Sequence, residues 1–462
     1  MSVRLTDLQA CFQGIVPTIV ATCSRDGEPN VTFLSQVFLV DERHVALSNQ
    51  FFNKTRRNLA ENPFAAVEVY DARTLEGWRL SLRFLRSETS GPLFDAMALR
   101  IQVIASHTGM TGVFRLLAAD VFEVLAVEPV AGFLLPPDPV VDAVPSLCEV
   151  PGPLTELRGL QTVSELIARA GDLDELLNGV LAALARVFRF EHSMILVPDE
   201  TGRRLVTIAS HGYGDAGIGA EVEIGEGLLG TVAQRRSLVR IAGVAGELRY
   251  GRAIRDRVSE VGERARLRAE IPLPGLADAE AQLALPLVAA GRLVGVLAVE
   301  SRDPLSLDEW DEAFLQILAG QIAMAVDRME APDEETGEAA TGRPATTAAA
   351  PPGRRHTFVY YRNDDCVFVD GEYLVRNVPG KILWKMLRRH HQEGRTEFTN
   401  RELRLDPSLG LPAYRDNLET RLILLRRRLE ARCPDVRMVP VRRGRFALEV
   451  ACPVELVEKD SA

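Results

Sequence analysis

The sequence has no run of roughly 18 to 20 uninterrupted apolar residues, so no membrane helix is expected. Cysteine is scarce and scattered. The six (Cys11, Cys23, Cys148, Cys366, Cys433 and Cys452) include no CxxC pair, which argues against a disulfide framework and against a cysteine-rich zinc site. The opening MSVRLTDLQACFQG has no apolar core followed by a small-residue cleavage site. A secretory leader is therefore not expected, and a reducing, cytoplasmic location is. What is present is a soluble, globular composition: 47% hydrophobic, 26% charged, mean hydropathy +0.01. At 462 residues the chain is too long for one ordinary core, and two to four domains are expected.

Charge is unevenly placed. Residues 354–462 hold 22 Lys and Arg against 16 Asp and Glu, a surplus of +6, so the rest must stand at −16 to give the overall −10. A basic module on an acidic body raises the question of nucleic acid. Two segments read as linkers. Residues 135–154 contain Pro136, Pro137, Pro139, Pro145, Pro151 and Pro153, which favour an extended, stiff chain. Residues 331–355 contain no aromatic and little apolar beyond alanine, too little to offset ordering entropy. The domains expected are 1–134, 155–330 and 356–452, with no internal repeat.

In the first module, strands are expected at Ile15–Cys23, Asn30–Val40, His44–Ser48, Phe64–Tyr70, Gly77–Glu88 and Asp120–Val127, with helices at Asn53–Asn62 and Gly91–Ser106. Short antiparallel strands with two helices suggest a small barrel. Ser48-Asn49 ends a strand just before a helix that opens Asn53-Lys54-Thr55-Arg56-Arg57. Helix N-terminal N–H groups, hydroxyls and a lysine can cradle a phosphate; an N-capped helix with ordinary surface cations reads as well. HVALSNQFFNKTRRNLAENPFAAVEVYD resembles the phosphate-binding segment of pyridoxamine 5'-phosphate oxidase-like, flavin-binding split barrels. GPLFDAMALRIQVIASHTGMTGVFRL resembles a later helix of a subgroup of them. The resemblance implies FMN, its phosphate held by Ser48, Asn49, Asn53, Lys54 and Thr55, in a homodimer. Those enzymes carry Ser-Arg-Lys where Asn53-Lys54-Thr55 stand here, with one residue inserted, so the register of the cation is open. No catalytic residue is assigned.

The second module reads as two helices (Leu157–Ala170, Leu173–Phe188), strands, a glycine-rich turn into a helix, two more strands and a long helix, Trp310–Met329. Gly225, Gly227 and Gly230 lack the Lys-Ser/Thr of a phosphate loop, so a tight turn is preferred. IGEGLLGTVAQRRSLVRI and LALPLVAAGRLVGVLAVES resemble a GAF domain, a small-molecule sensor with a central antiparallel sheet. That implies an unidentified small ligand. No cysteine lies between Cys148 and Cys366, which excludes a thioether-linked bilin here. His192 and His211 read as surface or hydrogen-bonded histidines. Charge-dense residues 252–270 read as a solvated helix or a flap. In the last helix Leu315, Leu318, Ile322, Ala325 and Met329 recur at 3-4-3-4 spacing, able to pack on the sheet or pair in a dimer.

The third module orders strands, helix (Pro379–His391), short helix, long helix (Pro412–Arg432) and a hairpin whose tip is Arg442-Arg443-Gly444-Arg445. VPGKILWKMLRRHHQEGRTEFTNRELR and the segments after it resemble the winged helix-turn-helix DNA-binding domain of response regulators. Leu418, Leu422, Leu425 and Leu429 should face the core. The opposite face then holds Asp416, Thr420, Ile423, Leu424 and Arg427, with Arg415, Arg421, Arg426, Arg428 and Arg432 on the flanks. Double-stranded DNA contacts are expected from Arg415, Thr420, Arg421, Arg427, Arg428, Arg442, Arg443 and Arg445. Ile423 and Leu424 read bases poorly, so a protein-binding face stays open. The combined expectation is a multidomain α+β chain: a split β-barrel, a GAF-type sheet and a winged helix, acting as a cytosolic sensor-type transcriptional regulator. The alternative is a flavin-dependent oxidoreductase regulated by the GAF domain, its winged helix a protein-interaction module.

Overall fold

The computed structural model describes residues 3–50, 53–130, 153–199, 201–213, 217–260, 267–271, 275–330, 355–409, 411, 418–442 and 444–460. Most of both expected linkers lies outside them. A 3-10 helix (Leu5–Phe12) leads into β1 (Thr18–Cys23), β2 (Pro29–Leu34), β3 (Val37–Leu39), β4 (His44–Asn49), α1 (Asn53–Glu61), β5 (Phe64–Tyr70), β6 (Gly77–Glu88), α2 (Pro92–His107) and β7 (Ala118–Pro129). The sheet is antiparallel, in the order β2-β1-β5-β6-β7-β4-β3. The single strand expected over 30–40 is two strands at opposite edges. They part at Ser35–Gln36, where the Gln36 amide donates to the Phe12 carbonyl at 2.6 Å and turns the chain. The first strand also starts later than Ile15, at Thr18. Val20, Val45, Val67, Leu80, Leu82 and Phe122 fill the inside of this curled sheet.

The middle part runs α3 (Pro153–Arg169), α4 (Leu173–Phe188), β8 (His192–Pro198), β9 (Arg204–His211), β10 (Glu221–Glu223), α5 (Gly227–Arg235), β11 (Val239–Ala242), α6 (Val244–Glu260), β12 (Ala281–Ala289), β13 (Arg292–Ser301) and α7 (Glu309–Glu330). Its six strands order β10-β9-β8-β13-β12-β11. One face is covered by α3, α4 and α7, whose Leu176, Val180, Leu184, Leu315, Leu318 and Ile322 are buried on it. The stripe Leu315, Leu318, Ile322, Ala325 thus packs on the chain's own sheet. A second stripe one step round α7, Trp310, Ala313, Ile317, Gly320 and Met324, keeps the same 3-4-3-4 spacing and is exposed.

The other sheet face is covered by α5, α6 and, from the first module, α2. Met97, Ile101 and Ile104 of α2 share one core with Leu196, Leu229, Val232 and Val296. The first two modules are therefore fused through a common hydrophobic layer, not strung on a linker.

The last part runs β14 (His356–Tyr361), β15 (Cys366–Val369), β16 (Glu372–Val375), α8 (Asn377–Glu393), β17 (Glu397–Thr399), α9 (Asn400–Arg404), a 3-10 turn (Pro407–Leu409), α10 (Leu418–Arg432), β18 (Val436–Arg442), β19 (Arg445–Val450) and β20 (Val454–Lys459). Two sheets form, β16-β15-β14-β20 and β17-β19-β18. Leu418, Leu425 and Leu429 are buried between them, on the core side of α10 as their spacing requires. Strand β20 lies past residue 452, the expected end of the module, and pairs in parallel with β14. Among the described residues no helix is long and apolar enough to cross a membrane.

Candidate functional site

Among the expected cofactor residues, the described side chains of Ser48, Asn49, Lys54 and Thr55 do not converge on one cradle. Ser48 and Asn49 are buried at the end of β4. The Asn49 amide donates to Asp120 Oδ2 at 3.2 Å, and Ser87 Oγ donates to Asp120 Oδ1 at 2.5 Å. Burial pushes the Asp120 carboxyl above its usual range, offset in part by these hydrogen bonds and by the Arg56 guanidinium. Thr55 faces elsewhere: it is buried and its hydroxyl accepts from Asn30 Nδ2 at 2.9 Å. Lys54, expected to meet phosphate, is exposed and pairs with Glu28, in the turn between β1 and β2, at 2.8 Å. The Asn53 side chain lies outside the described residues. Of the cations on this helix, Arg56 is the one whose charge acts on Asp120, the partner of Asn49. Gln50 adds a buried acceptor there, its Oε1 accepting no hydrogen bond. A cation and an unfilled acceptor suit a polar ligand entering from the Arg56 side. The Asp120 carboxylate opposes an anion on the Asn49 side.

In the middle module the glycine-rich turn into α5 is met by the end of α2. The first turn of α5 has unpaired N–H groups, and its cap residue Glu226 makes no side-chain cap bond. The end of α2 supplies the cap instead. Gly227 N–H donates to Ser106 Oγ at 2.7 Å and Leu228 N–H donates to His107 Nε2 at 3.0 Å. His107 Nδ1–H in turn donates to the Ile271 carbonyl at 2.9 Å. The glycines permit this approach. Gly227 has φ +61°, and a Cβ there would lie 3.1 Å from the imidazole; one on Gly230 would lie 2.0 Å from the Glu223 carbonyl. The glycine-rich stretch is thus a tight turn onto a helix, as read from its lack of a Lys-Ser/Thr. From α6, within the charge-dense stretch, Arg255 closes the arrangement by donating to the Thr108 and Arg268 carbonyls at 2.7 and 2.8 Å.

This geometry requires neutral His107, and burial holds its pKa below the usual 6.5. The sign follows directly. The unfolded state gains the proton first as pH falls, so the stability from this joint is whole above about pH 6.5 and is lost as pH drops toward the native value. Thermal stability should fall as pH drops below about 6.5, and His107→Gln, which does not titrate, should flatten that slope. A mutant slope equal to that of the parent would place the dependence on another group.

The third module meets the middle one through α10. Asp172 caps α4 by accepting from Glu175 N–H at 2.8 Å, which sets Asp174 in the first turn. There Asp174 receives Arg426 at 2.6 Å and Arg427 at 2.7 Å. Arg427 also donates to Asn178 at 2.5 Å, and Arg428 donates to the Gly219 carbonyl at 3.2 Å. Arg376 pairs with Glu221. Ile423 is buried in the core of the middle module. The α10 face expected to look outward therefore lies against the middle module. Thr420 and Arg421 are buried, Arg427 and Arg428 are held by the neighbouring module, and none of the four is presented to DNA in this arrangement. Arg445 pairs with Glu397 at 3.4 Å, beside the hairpin tip. Arg415, Arg443 and the Arg442 side chain lie outside the described residues. A cavity of about 410 Å³ remains between α4, α10 and the hairpin, and the buried Asn400 Oδ1 on its wall accepts no hydrogen bond. Asp174 was not singled out from sequence, and Arg426 was read only as a flanking, phosphate-facing arginine; an acidic helix start opposite an arginine triplet was the available signal.

Residues 6–125 match the family model for pyridoxamine 5'-phosphate oxidase, and residues 170–327 match that for the GAF domain. The chain thus carries an oxidase-like domain and a GAF domain, a pairing that suggests flavin or small-molecule sensing. Similar solved structures include the GAF domain of an Acinetobacter phosphoenolpyruvate-protein phosphotransferase. It is 22% identical, covering 37% of this chain and 93% of that one, with TM-score 0.29. An FMN-binding protein from Syntrophomonas wolfei is 21% identical over 28% of this chain and 90% of its own, TM-score 0.23. Free methionine-R-sulfoxide reductase from Neisseria meningitidis is 17% identical over 38% and 89%, TM-score 0.31. No curated protein matches the chain.

Proposed function

We propose that the protein is a cytoplasmic sensor-type transcription regulator, in which the two fused N-terminal modules govern a C-terminal winged helix that binds duplex DNA. The carrying observation is the hold on Arg426, Arg427 and Arg428 by Asp174, Asn178 and Gly219. A helix with three consecutive arginines bound to a sensor domain reaches phosphate only after that hold is released. The order helix, short helix, long helix, basic hairpin supports the winged-helix reading. Anisotropy titration of the full chain with genomic fragments tests it. Binding should weaken with salt, and Arg443→Ala with Arg445→Ala should flatten that dependence. A salt slope unmoved by the pair would remove the hairpin from the interface.

The proposed input of the first module is a flavin of the FMN type, with Ser48, Gln50 and Arg56 as the groups that would hold it. Absorbance of the purified protein between the near ultraviolet and the blue tests for it. Arg56→Ala should lower flavin retention about tenfold, the scale of one charge-assisted contact, whereas Lys54→Ala, removing a surface pair with Glu28, should change it little. The reverse ranking would restore Lys54 as the phosphate cation.

We also propose a homodimer through the outer face of α7. Trp310, Ile317 and Met324 are 69%, 52% and 63% exposed, and they lie seven residues apart on one seam. A second copy of the same seam covers them. Ile317→Glu with Met324→Glu should yield monomers by light scattering, with the fold intact by circular dichroism.

A further inference from the structure

The third module carries a side-chain cluster that none of the foregoing uses. His356 opens β14 and is almost wholly buried. Its Nδ1 lies 2.6 Å from Asp370 Oδ2, and its Nε2 lies 3.0 Å from Asp435 Oδ2. The second Asp370 oxygen accepts the Thr357 N–H at 2.9 Å, so that carboxylate is fixed from both sides. Cys452 completes the group. One donor atom each from His356, Asp435 and Cys452 lies within 4.8 Å of the others. Three distant stretches of chain are brought together here by main-chain bonds. His356 N–H donates to the Pro453 carbonyl at 3.1 Å and Ala451 N–H donates to the Asp435 carbonyl at 2.8 Å. The donors therefore sit on anchored backbone: His356 at the start of β14, Asp435 in the turn after α10 and Cys452 in the bend between β19 and β20.

An imidazolium between two carboxylates accounts for the histidine and the aspartates but gives the thiol no task. A metal ion accounts for all four. Nitrogen, carboxylate oxygen and sulfur are the three donor types of zinc sites, and three donors at this spacing need only small side-chain shifts to close on one ion. A metal-binding imidazole also characteristically gives its other N–H to a carboxylate, which fixes the tautomer, and Asp370 stands in that place. Without a cation, burial and the neighbouring carboxylates keep the Cys452 thiol protonated; a bound divalent ion reverses that preference.

We propose that His356 Nε2, an Asp435 carboxylate oxygen and Cys452 Sγ bind a divalent transition-metal ion of the zinc class, with Asp370 as the positioning residue on Nδ1. The ion pins the first strand of the module to the turn that follows α10 and leaves one tetrahedral position open. The inference is independent of DNA binding.

The test uses the full chain, stripped of metal by chelator and kept reduced. Cobalt(II) titration should produce a thiolate-to-metal charge-transfer band in the near ultraviolet at one equivalent, and zinc should bleach it. Cys452→Ser should lose the band, with folding checked by far-ultraviolet circular dichroism. Asp370→Asn should keep the band and weaken zinc binding about 10- to 100-fold. Zinc should raise the melting temperature of the parent and not of Cys452→Ser. Absence of the band in the parent, or a band of equal strength in Cys452→Ser, overturns the proposal. So does a zinc affinity unchanged by Asp370→Asn.

Discussion

On the proposed DNA-binding role, replacing Asp174 by alanine is expected to raise the affinity of the full chain for duplex DNA about thirtyfold. Asp174 binds two guanidiniums at once and is largely buried beneath them. Removing one partner of such a group costs more than the pair contributes, because the remaining charges lose their compensation. A shift of about 2 kcal/mol against the docked arrangement, a conservative value for partly exposed groups, multiplies the open population by about thirty. The open state frees Arg426 and Arg427 for phosphate, so the salt dependence should steepen as well. Asp174→Asn keeps an acceptor and removes the charge, and should fall between. Equal affinities for the three proteins would show that α10 is docked permanently, as a structural element of the sensor. DNA contact, if any, would then come from another surface.

That experiment bears on what the amino-acid order could and could not convey. Periodicity located α4 at Leu173–Phe188 as observed, and the Leu418, Leu422, Leu425, Leu429 side of α10 as its core side, because both patterns report burial against the helix's own module. The same arithmetic put Thr420, Ile423 and Arg427 on the face away from the module's own core, open to DNA or to a protein. A helical wheel sorts faces but does not say what covers the second one, and Asp174 lies about 250 residues away. On α7 the spacing left sheet packing and dimer pairing open for Leu315, Leu318, Ile322 and Ala325, which pack on the sheet; a second 3-4-3-4 stripe is the exposed one. At the cradle the residue types of Ser48 and Asn49 were legible, whereas the face that each cation of α1 takes was not: Lys54 and Arg56 stand two positions, about 200°, apart on the helix. His356, Asp370, Asp435 and Cys452 are spread over nearly a hundred residues in no recognisable spacing, so only the folded sheets bring them together.

Ile104→Ala is the second large expected effect, and it probes whether two modules behave as one. Ile104 is buried at the end of α2, in the core that the curled sheet's helix shares with β8, β13 and α5. Its methyl lies against the close-packed Gly251 of α6, where a Cβ would come within 3.2 Å. Truncating a buried isoleucine costs about 2–5 kcal/mol, the upper end where the surroundings cannot collapse. For a body of this size that corresponds to a fall of about 5–15 °C in melting temperature. The distinguishing feature lies in which transitions move. If α2 is part of both cores, calorimetry should show the barrel and the GAF sheet melting in one transition that shifts as a unit, with the third module's transition displaced less. Flavin retention and the seating of α10 should weaken together in the mutant, since Ser106 and His107 at the end of α2 also cap the helix beneath the GAF sheet. A mutant in which one module melts early while the other keeps its parental temperature would show two separable cores. Information from the first pocket would then have to reach α10 by some route other than α2.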